Sequence, residues 1–447
     1  MNKTTQGSSP QKRDWSKIIF LTIAGFLLLF GSFCYGILAI RMNLQPWPLM
    51  LRGIITVKEV LAPSDKLLQS TRAPSETPID FPLPDQVAPG LVAVAGDYKT
   101  RHTEVKVMDR EGRVIHSWKP NWSEIWPGDE GDFSPRPADS IYLHGVMILP
   151  DGSLVANFEH YSTFRLDVCG NLMWKLDNLG HHSVNYAPDG TIWASAERRP
   201  QEGVLPYPMH AANLRDWTMQ NISMNGEILR TIPVIDVLLN SDYEGLLYVS
   251  DRANPGDGVW GDTLHLNDID TFPEDMESEI FETGDVMFSL RNISGIFVMD
   301  PDTLALKYVN VGQVMRQHDP DFVEGDWISV FDNRTFSMDA QEPATGSRII
   351  EFNAVTGERR VVIDGADPET EFFSQIMSVH QPLPNGNTLI VVSDDGRLVE
   401  YTPDRKLAWR YENQTEEGLL RIYWAEVLPP ELDENFFREA ELTCNGN

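Results

Sequence analysis

One short pattern recurs five times along this chain and limits what it can fold into. A histidine opens a short apolar strand, the strand runs into a turn, and a second strand follows. The copies are Leu143-His144-Gly145-Val146 before Pro150-Asp151-Gly152, and His181-His182-Ser183-Val184 before Pro188-Asp189-Gly190. Then come Leu264-His265-Leu266-Asn267 before Pro273, Gln317-His318-Asp319-Pro320 before Gly325-Asp326, and Val379-His380-Gln381-Pro382 before Pro384-Asn385-Gly386. The third copy is the loosest, because its turn has Pro273 but no nearby glycine. A histidine placed once per repeat converges on one point if the repeats are arranged radially.

The strands around these histidines group into units. Residues 141–178 hold the histidine strand, then 153–158, 164–168 and 172–176, and the stretch from His380 to Asn413 repeats that order. A shorter version runs over 91–120. Short alternating strands separated by Gly, Asp and Asn turns are an all-β signal. Four strands per unit of about 40–50 residues, repeated, predict a β-propeller. The units begin near Leu91, His144, His182, His265, His318 and His380, which makes six blades, with insertions at 198–215, 243–263 and 333–347. The first unit lacks a histidine strand. Ile422-Tyr423-Trp424-Ala425-Glu426-Val427, near the C-terminus, is expected to supply it and so close the ring's open edge.

In such a ring the first strand of each blade lines the central channel, so the five histidines are expected on innermost strands near one channel end. His181 should point away from His182, because side chains alternate along a strand. His102, His116, His160 and His210 do not share the setting and read as surface or structural. Trp118, Trp174 and Trp409 each close the last strand of a unit and are expected to pack between blades.

Residues 18–40 are almost wholly apolar and uncharged. About 20 such residues span a bilayer as a helix. Lys12, Arg13 and Lys17 precede the stretch and Arg41 follows, so the N-terminus is expected in the cytoplasm. The span is longer than a signal-peptide core and no A-x-A pattern follows, which favours an uncleaved anchor over a cleaved leader. The expected order is a cytoplasmic segment 1–17, a transmembrane helix 18–40, and a Pro-rich juxtamembrane linker 41–90 with a short helix near 54–68. A six-bladed propeller follows over 91–430, then a tail over 431–447. The globular part would lie in the periplasm or outside the cell. With 36 Lys+Arg against 66 Asp+Glu, the net charge of -30 argues against nucleic acid or an anionic membrane surface as partner. Cys169 and Cys444 lie outside the span, where a disulfide is permitted; the sequence leaves them free to pair or not.

The stretch Gln317-His318-Asp319-Pro320-Asp321-Phe322, followed by Val330-Phe331-Asp332-Asn333, resembles the surroundings of the active histidine in bacterial aryl-sulfate sulfotransferases. Leu264-His265-Leu266-Asn267-Asp268-Ile269 with Phe288-Ser289-Leu290-Arg291 resembles that family's second histidine and its arginine, and His181-His182-Ser183-Val184 a third. The resemblance runs over roughly 91–430. It implies a six-bladed propeller and ping-pong transfer of a sulfuryl group from an aryl sulfate to a phenolic acceptor, with no adenylylated donor and no cofactor. It assigns transient sulfation to His318, and binding of the sulfuryl oxygens or proton movement to His182, His265 and Arg291. His144 and His380 stay without a family role and are expected to line the substrate channel. Family members with established activity carry a β domain before the propeller, whereas here a Pro-rich stretch of about fifty residues separates the span from the first blade.

The chemistry is sound on its own terms. A neutral imidazole splits one transfer into two easier ones. Sulfuryl transfer, like phosphoryl transfer, needs positioning and charge stabilisation of the equatorial oxygens. The acidic domain would repel an anionic donor, so positive charge at Arg291, with Arg316 or Arg334, has to offset it. For Arg291 the plain alternative is an ion pair to a neighbouring blade, and for Asp319 and Asp321 it is turn chemistry beside Pro320. Two other functions fit the pattern: a histidine-ring metalloprotein holding copper or zinc, and a non-catalytic, membrane-tethered binding module.

Overall fold

The computed structural model describes residues 15–41, 72–99, 102–127, 142–198, 214–249, 262–335 and 346–445. It divides into two units, 1–66 and 67–447. In the first, Trp15–Arg41 forms one helix, and the part over Trp15–Ala39 is long and apolar enough to cross a membrane. At 1.5 Å per residue the helix measures about 40 Å. The helix expected near 54–68 lies outside the described residues.

The second unit is a ring of six antiparallel blades; four are built of four successive strands, one takes its innermost strand from the C-terminal end, one carries a fifth strand, and a separate two-stranded sheet lies outside the blades. Blade 2 is Leu143–Ile148, Leu154–Phe158, Ser162–Leu166 and Leu172–Leu176. Blade 4 is Leu266–Thr271, Val286–Leu290, Gly295–Met299 and Leu306–Val311. Blade 5 begins with His318–Glu324 and Trp327–Asp332, and blade 6 with His380–Pro382. Blade 3 begins with Val184–Tyr186. The expected closure is present: Ile422–Val427 pairs with Val92–Lys99, Val92 opposite Val427, and becomes the innermost strand of blade 1. The first and last parts of the ring are thereby joined by backbone hydrogen bonds.

Sequence explains the layering. The second and third strands of a blade are covered by neighbouring blades on both faces. Val286–Leu290, Gly295–Met299 and Thr388–Val392 are accordingly apolar-rich and buried at every position. Outer strands face water, and Leu172–Leu176 is half-exposed or exposed throughout. The three tryptophans tie blades together as expected. The indole N–H of Trp118 donates to Asp167 O, that of Trp174 to Met224 O, and that of Trp409 to Arg110 O. Each bond runs from an outer strand to the turn after the third strand of the next blade, and the Trp409 bond crosses the closure.

Two boundaries differ from the sequence reading. The linker expected over 41–90 ends inside the fold, because Ile79–Asp80 adds a fifth strand to blade 6 opposite Arg410 and Tyr411. The tail expected over 431–447 contains the helix Glu434–Asn445. Its Phe437 is buried and stacks on His116, and Cys444 is disulfide-bonded to Cys169. The insertions at 198–215, 243–263 and 333–347 fall largely outside the described residues.

Candidate active site

The ring brings four of the five repeated histidines to one cluster. His182 is its centre. Its Nδ1 lies 2.8 Å from His144 Nε2 and its Nε2 lies 2.8 Å from His265 Nε2. The rings of His182 and His318 are 6.0 Å apart. His318 and His380 begin their strands and His144 is second in its own, whereas His182 and His265 stand just before theirs. Both take left-handed backbone, φ 48° and 59°. That region is costly for a residue with a side chain, and it turns these rings into the cluster. For the same reason His181 does not point away from His182. Neither is on a strand, and their rings meet at 3.8 Å. His160, read from sequence as surface or structural, also joins: its ring lies 4.0 Å from His181 and its Nδ1 3.0 Å from Glu197 Oε1.

Hydrogen bonds fix which nitrogen carries each proton. His265 Nδ1 is 2.5 Å from Asp262 Oδ2, and Asp262 also accepts from the Trp217 indole at 3.0 Å. Burial works to raise the Asp262 carboxyl, but His265 outweighs it and holds the group below the usual carboxylate range. The Asp262 carboxylate therefore accepts from His265 Nδ1–H. His265 Nε2 then accepts from His182 Nε2–H, and His182 Nδ1 from His144 Nε2–H. All three rings are neutral in this chain. Burial first, and the Arg291 charge second, lower His265 to about 4 and His318 to about 3. Burial likewise pushes His144, His181 and His182 well below their ordinary value.

His318 has its own support. Its Nδ1 is 2.8 Å from Asn333 Oδ1, and the Asn333 amide nitrogen donates to Ser374 O and Met377 O, each at 3.0 Å. The amide is thus oriented with its oxygen toward the ring, so Nδ1 carries the proton and Nε2 the lone pair. The Met377 N–H approaches that lone pair at 3.2 Å. Arg291 follows the second strand of blade 4, and its backbone N–H donates to His265 O at 3.0 Å.

His380 is set apart. Its Nδ1 lies 2.8 Å from Asp319 Oδ2 and its Nε2 2.6 Å from Ser329 Oγ, so both ring nitrogens are occupied. Asp319 and Asp321 were expected to serve the turn beside Pro320. Instead they lie on the innermost strand of blade 5 and line the channel, Asp319 at φ 54° where the register slips.

A cavity of about 650 Å³ runs from His144, His182, His318 and His380 along the innermost strands. Asp268, Asp270, Asp319, Asp321 and Glu426 line it. Burial raises Asp268 and Asp321 well above the carboxylate range, lifts Asp270 to about 6 and Glu426 to about 7. His265 and Arg291 do not line it. They stand beyond the Leu266–Leu290 pair, at the end where the strand begins, while the cavity extends toward Thr271 and Pro273. One face of the histidine cluster is thus acidic and the other carries arginine.

Sequence reasoning passed over Asp262, Trp217, Glu159 and Asn333 as site residues. Asn333 lay inside the Val330-Phe331-Asp332-Asn333 stretch that carries the resemblance. Asp262, three residues before His265, had no signal of its own.

The profile of the family described as Arylsulfotransferase (ASST) matches residues 145–414. No curated protein matches the sequence. Among solved structures, a protein of unknown function from Bacteroides caccae is similar at 12% identity over 75% of this chain and 98% of that one, TM-score 0.47. The Pan2 WD40 domain of Neurospora crassa is similar at 11% identity over 80% and 83%, TM-score 0.41. A streptogramin B lyase is similar at 11% over 78% and 97%, TM-score 0.39.

Proposed function

This chain belongs to the arylsulfotransferase family, and we propose that it transfers a sulfuryl group from an aryl sulfate to a phenolic acceptor through a sulfated His318. The carrying observation is the 2.8 Å bond between His318 Nδ1 and Asn333 Oδ1, which leaves Nε2 as the nucleophilic nitrogen. The ring is buried, Nδ1–H points at Asn333, and the Nε2 lone pair accepts a 3.2 Å bond from Met377 N–H that must give way to the sulfur. In the first half-reaction that lone pair attacks sulfur, the S–N bond forms, the aryl O–S bond breaks and the phenolate leaves. The ring's developing positive charge is carried by the Nδ1–H bond to Asn333. In the second, a phenol passes its proton to the histidine relay and from there to solvent, its oxygen attacks sulfur, and the S–N bond breaks to return neutral His318. Arg291 offers charge to the sulfuryl oxygens. His182 and His265 pass protons along a chain anchored on Asp262.

Residues 15–41 would anchor the enzyme with its N-terminus in the cytoplasm and the propeller outside it. The Cys169–Cys444 disulfide supports an oxidising compartment. A metal held by the ring itself would have to displace His182 from its 2.8 Å contacts with His144 and His265.

The test is incubation with a chromogenic aryl sulfate without acceptor, followed by intact mass. One sulfuryl group on the wild type, absent from His318→Ala, is the expected result. Neither phenol release nor an adduct across several donors would leave a binding module as the surviving reading.

A further inference from the structure

Beside the proposed transfer centre, three more groups meet: Glu159, His160 and His181. Glu159 Oε1 is 3.1 Å from His181 Nε2 and 3.5 Å from His160 Nε2, and its Oε2 is 3.3 Å from His144 Nδ1. One ligand atom from each of Glu159, His160 and His181 lies within 4.8 Å of the others. His181 is 1% exposed, yet among the described residues neither of its ring nitrogens makes a hydrogen bond of good geometry, the approach to Glu159 included, and His144 Nδ1 makes none either. A buried polar group left in that state costs about 1–3 kcal/mol.

The tautomer chain sharpens the problem. Asp262 takes the His265 Nδ1 proton, which assigns His144 Nε2 as donor to His182 and leaves His144 Nδ1 with a bare lone pair. That lone pair faces the carboxylate of Glu159 at 3.3 Å. Two electron-rich atoms at that separation repel unless a cation sits against them. The spacings also suit a metal. Ligands bound at about 2.0–2.1 Å in a tetrahedron are about 3.3 Å apart edge to edge.

We propose that Glu159, His160 and His181 bind one divalent transition-metal ion of the zinc class, beside and separate from the His318 centre. A carboxylate and two imidazoles are a zinc ligand set. His160 holds the position at φ 64°, in a hairpin turn where glycine or asparagine would be the easy choice. Its Nδ1 already meets Glu197 Oε1 at 3.0 Å, the outer support that metal-bound histidines use to fix their orientation. Arg215 Nη1 stands 3.5 Å from His160 Nε2 and 3.6 Å from Glu197, and its side chain is 39% exposed, so it has room to leave His160 Nε2 to the ion and keep Glu197. The ion neutralises the charge that Glu159 presents to the His144 Nδ1 lone pair. The proposal goes beyond the transfer reaction and does not need it to be correct.

The experiment uses the full chain in detergent, stripped with chelator and re-equilibrated with zinc, with cobalt as a spectroscopic substitute. The expected result is one zinc per chain by elemental analysis and a tetrahedral cobalt spectrum. His160→Ala, on the more exposed side of the site, should weaken zinc binding by about 100-fold or more, beyond the 10–100-fold that outer partners govern. Because His181→Ala empties a buried site, His181→Gln is the companion, read alongside circular dichroism. Ion retention in the His160 and His181 variants with loss in His265→Ala would overturn the proposal by moving the metal to the ring. No zinc bound to a folded wild type would overturn it in favour of a proton between Glu159 and His144. The His318 adduct is measured on the same samples, so its absence with zinc present sinks the transfer reading alone.

Discussion

His318 Nδ1 sits 2.8 Å from Asn333 Oδ1, and the asparagine cannot turn because its own amide nitrogen is held by two backbone carbonyls. This pair sets the nucleophile. Asn333→Ala is expected to slow formation of the sulfuryl adduct by about 10–100-fold, the loss of one buried hydrogen bond. Asn333→Asp separates positioning from packing. A carboxylate against Nδ1 favours the protonated ring, so the pKa of His318 rises from about 3. The wild type should form the adduct at a rate with no acid limb above pH 5, and the aspartate variant should acquire one near neutrality. Rapid-quench mass spectrometry across pH 4–8 reads both.

Arg291 lowers the pKa of His318 and His265, second only to burial at each. Its replacement by glutamine should therefore do two things. The kcat/KM for an aryl sulfate should fall by about 100–1,000-fold, the usual cost of losing one charge-stabilising group. The acid limb should also move upward, since a proton on His318 no longer meets that charge. Arg291→Lys keeps the charge without the planar fork, so it should restore the pH profile more fully than the rate. A residue engaged only in an ion pair between blades would leave the pH profile unmoved.

Much of this was legible in the chain because a propeller repeats. Alternation and turn residues located the blades, and the missing histidine strand of the first unit pointed to Ile422–Val427 as its replacement. The three tryptophans sat once per outer strand and took the inter-blade role expected of them. The site was half legible. Period placed His144, His182, His265 and His318 together, but a period cannot report backbone handedness. The left-handed turns at His182 and His265 redirected their rings, drew in His181 and left strand alternation without force there. Asp262, Glu159 and Asn333 come from loop or strand-end positions in which an acidic or amide residue is ordinary, so nothing local marked them. The acidic cavity was hidden for another reason. Asp268, Asp270, Asp319, Asp321 and Glu426 belong to three separate blades, and only the ring makes them neighbours.

Glu426 gives that cavity a measurable signature. Burial moves its pKa from 4.5 to about 7. Between those values the folded state holds a proton that the unfolded state has released. Its favourable contribution is therefore complete below about pH 4.5 and is lost as pH rises through 7. Glu426→Gln, which cannot ionise, should gain stability relative to the wild type as pH rises from 5 to 8, by roughly 1–3 kcal/mol. The histidines act oppositely: their lowered pKa values make acid destabilising below about 6.5. Only the difference between variant and wild type isolates the glutamate. Denaturant unfolding at pH 5, 6.5 and 8 provides it, and a difference that does not change with pH would show that Glu426 is ionised in the fold.

The C-terminal helix Glu434–Asn445 closes blade 1 from outside. Phe437 is buried against His116 and Trp118, Arg113 pairs with Glu434, and Cys444 reaches Cys169 across a sequence separation of 275 residues. A cross-link over so long a stretch restricts the unfolded chain strongly, so Cys444→Ser is expected to cost roughly 2–4 kcal/mol. The loss should not fall evenly. Arg113 and Glu434 are exposed and contribute little, which leaves Phe437 as the main remaining attachment. Hydrogen exchange in the serine variant should therefore rise first over 434–445, while the buried strands Val286–Leu290 and Gly295–Met299 keep their protection until global unfolding. Adding reductant to the wild type should reproduce that pattern. If exchange instead rose uniformly around the ring, the helix would be part of the cooperative unit and the disulfide a brace for the whole propeller.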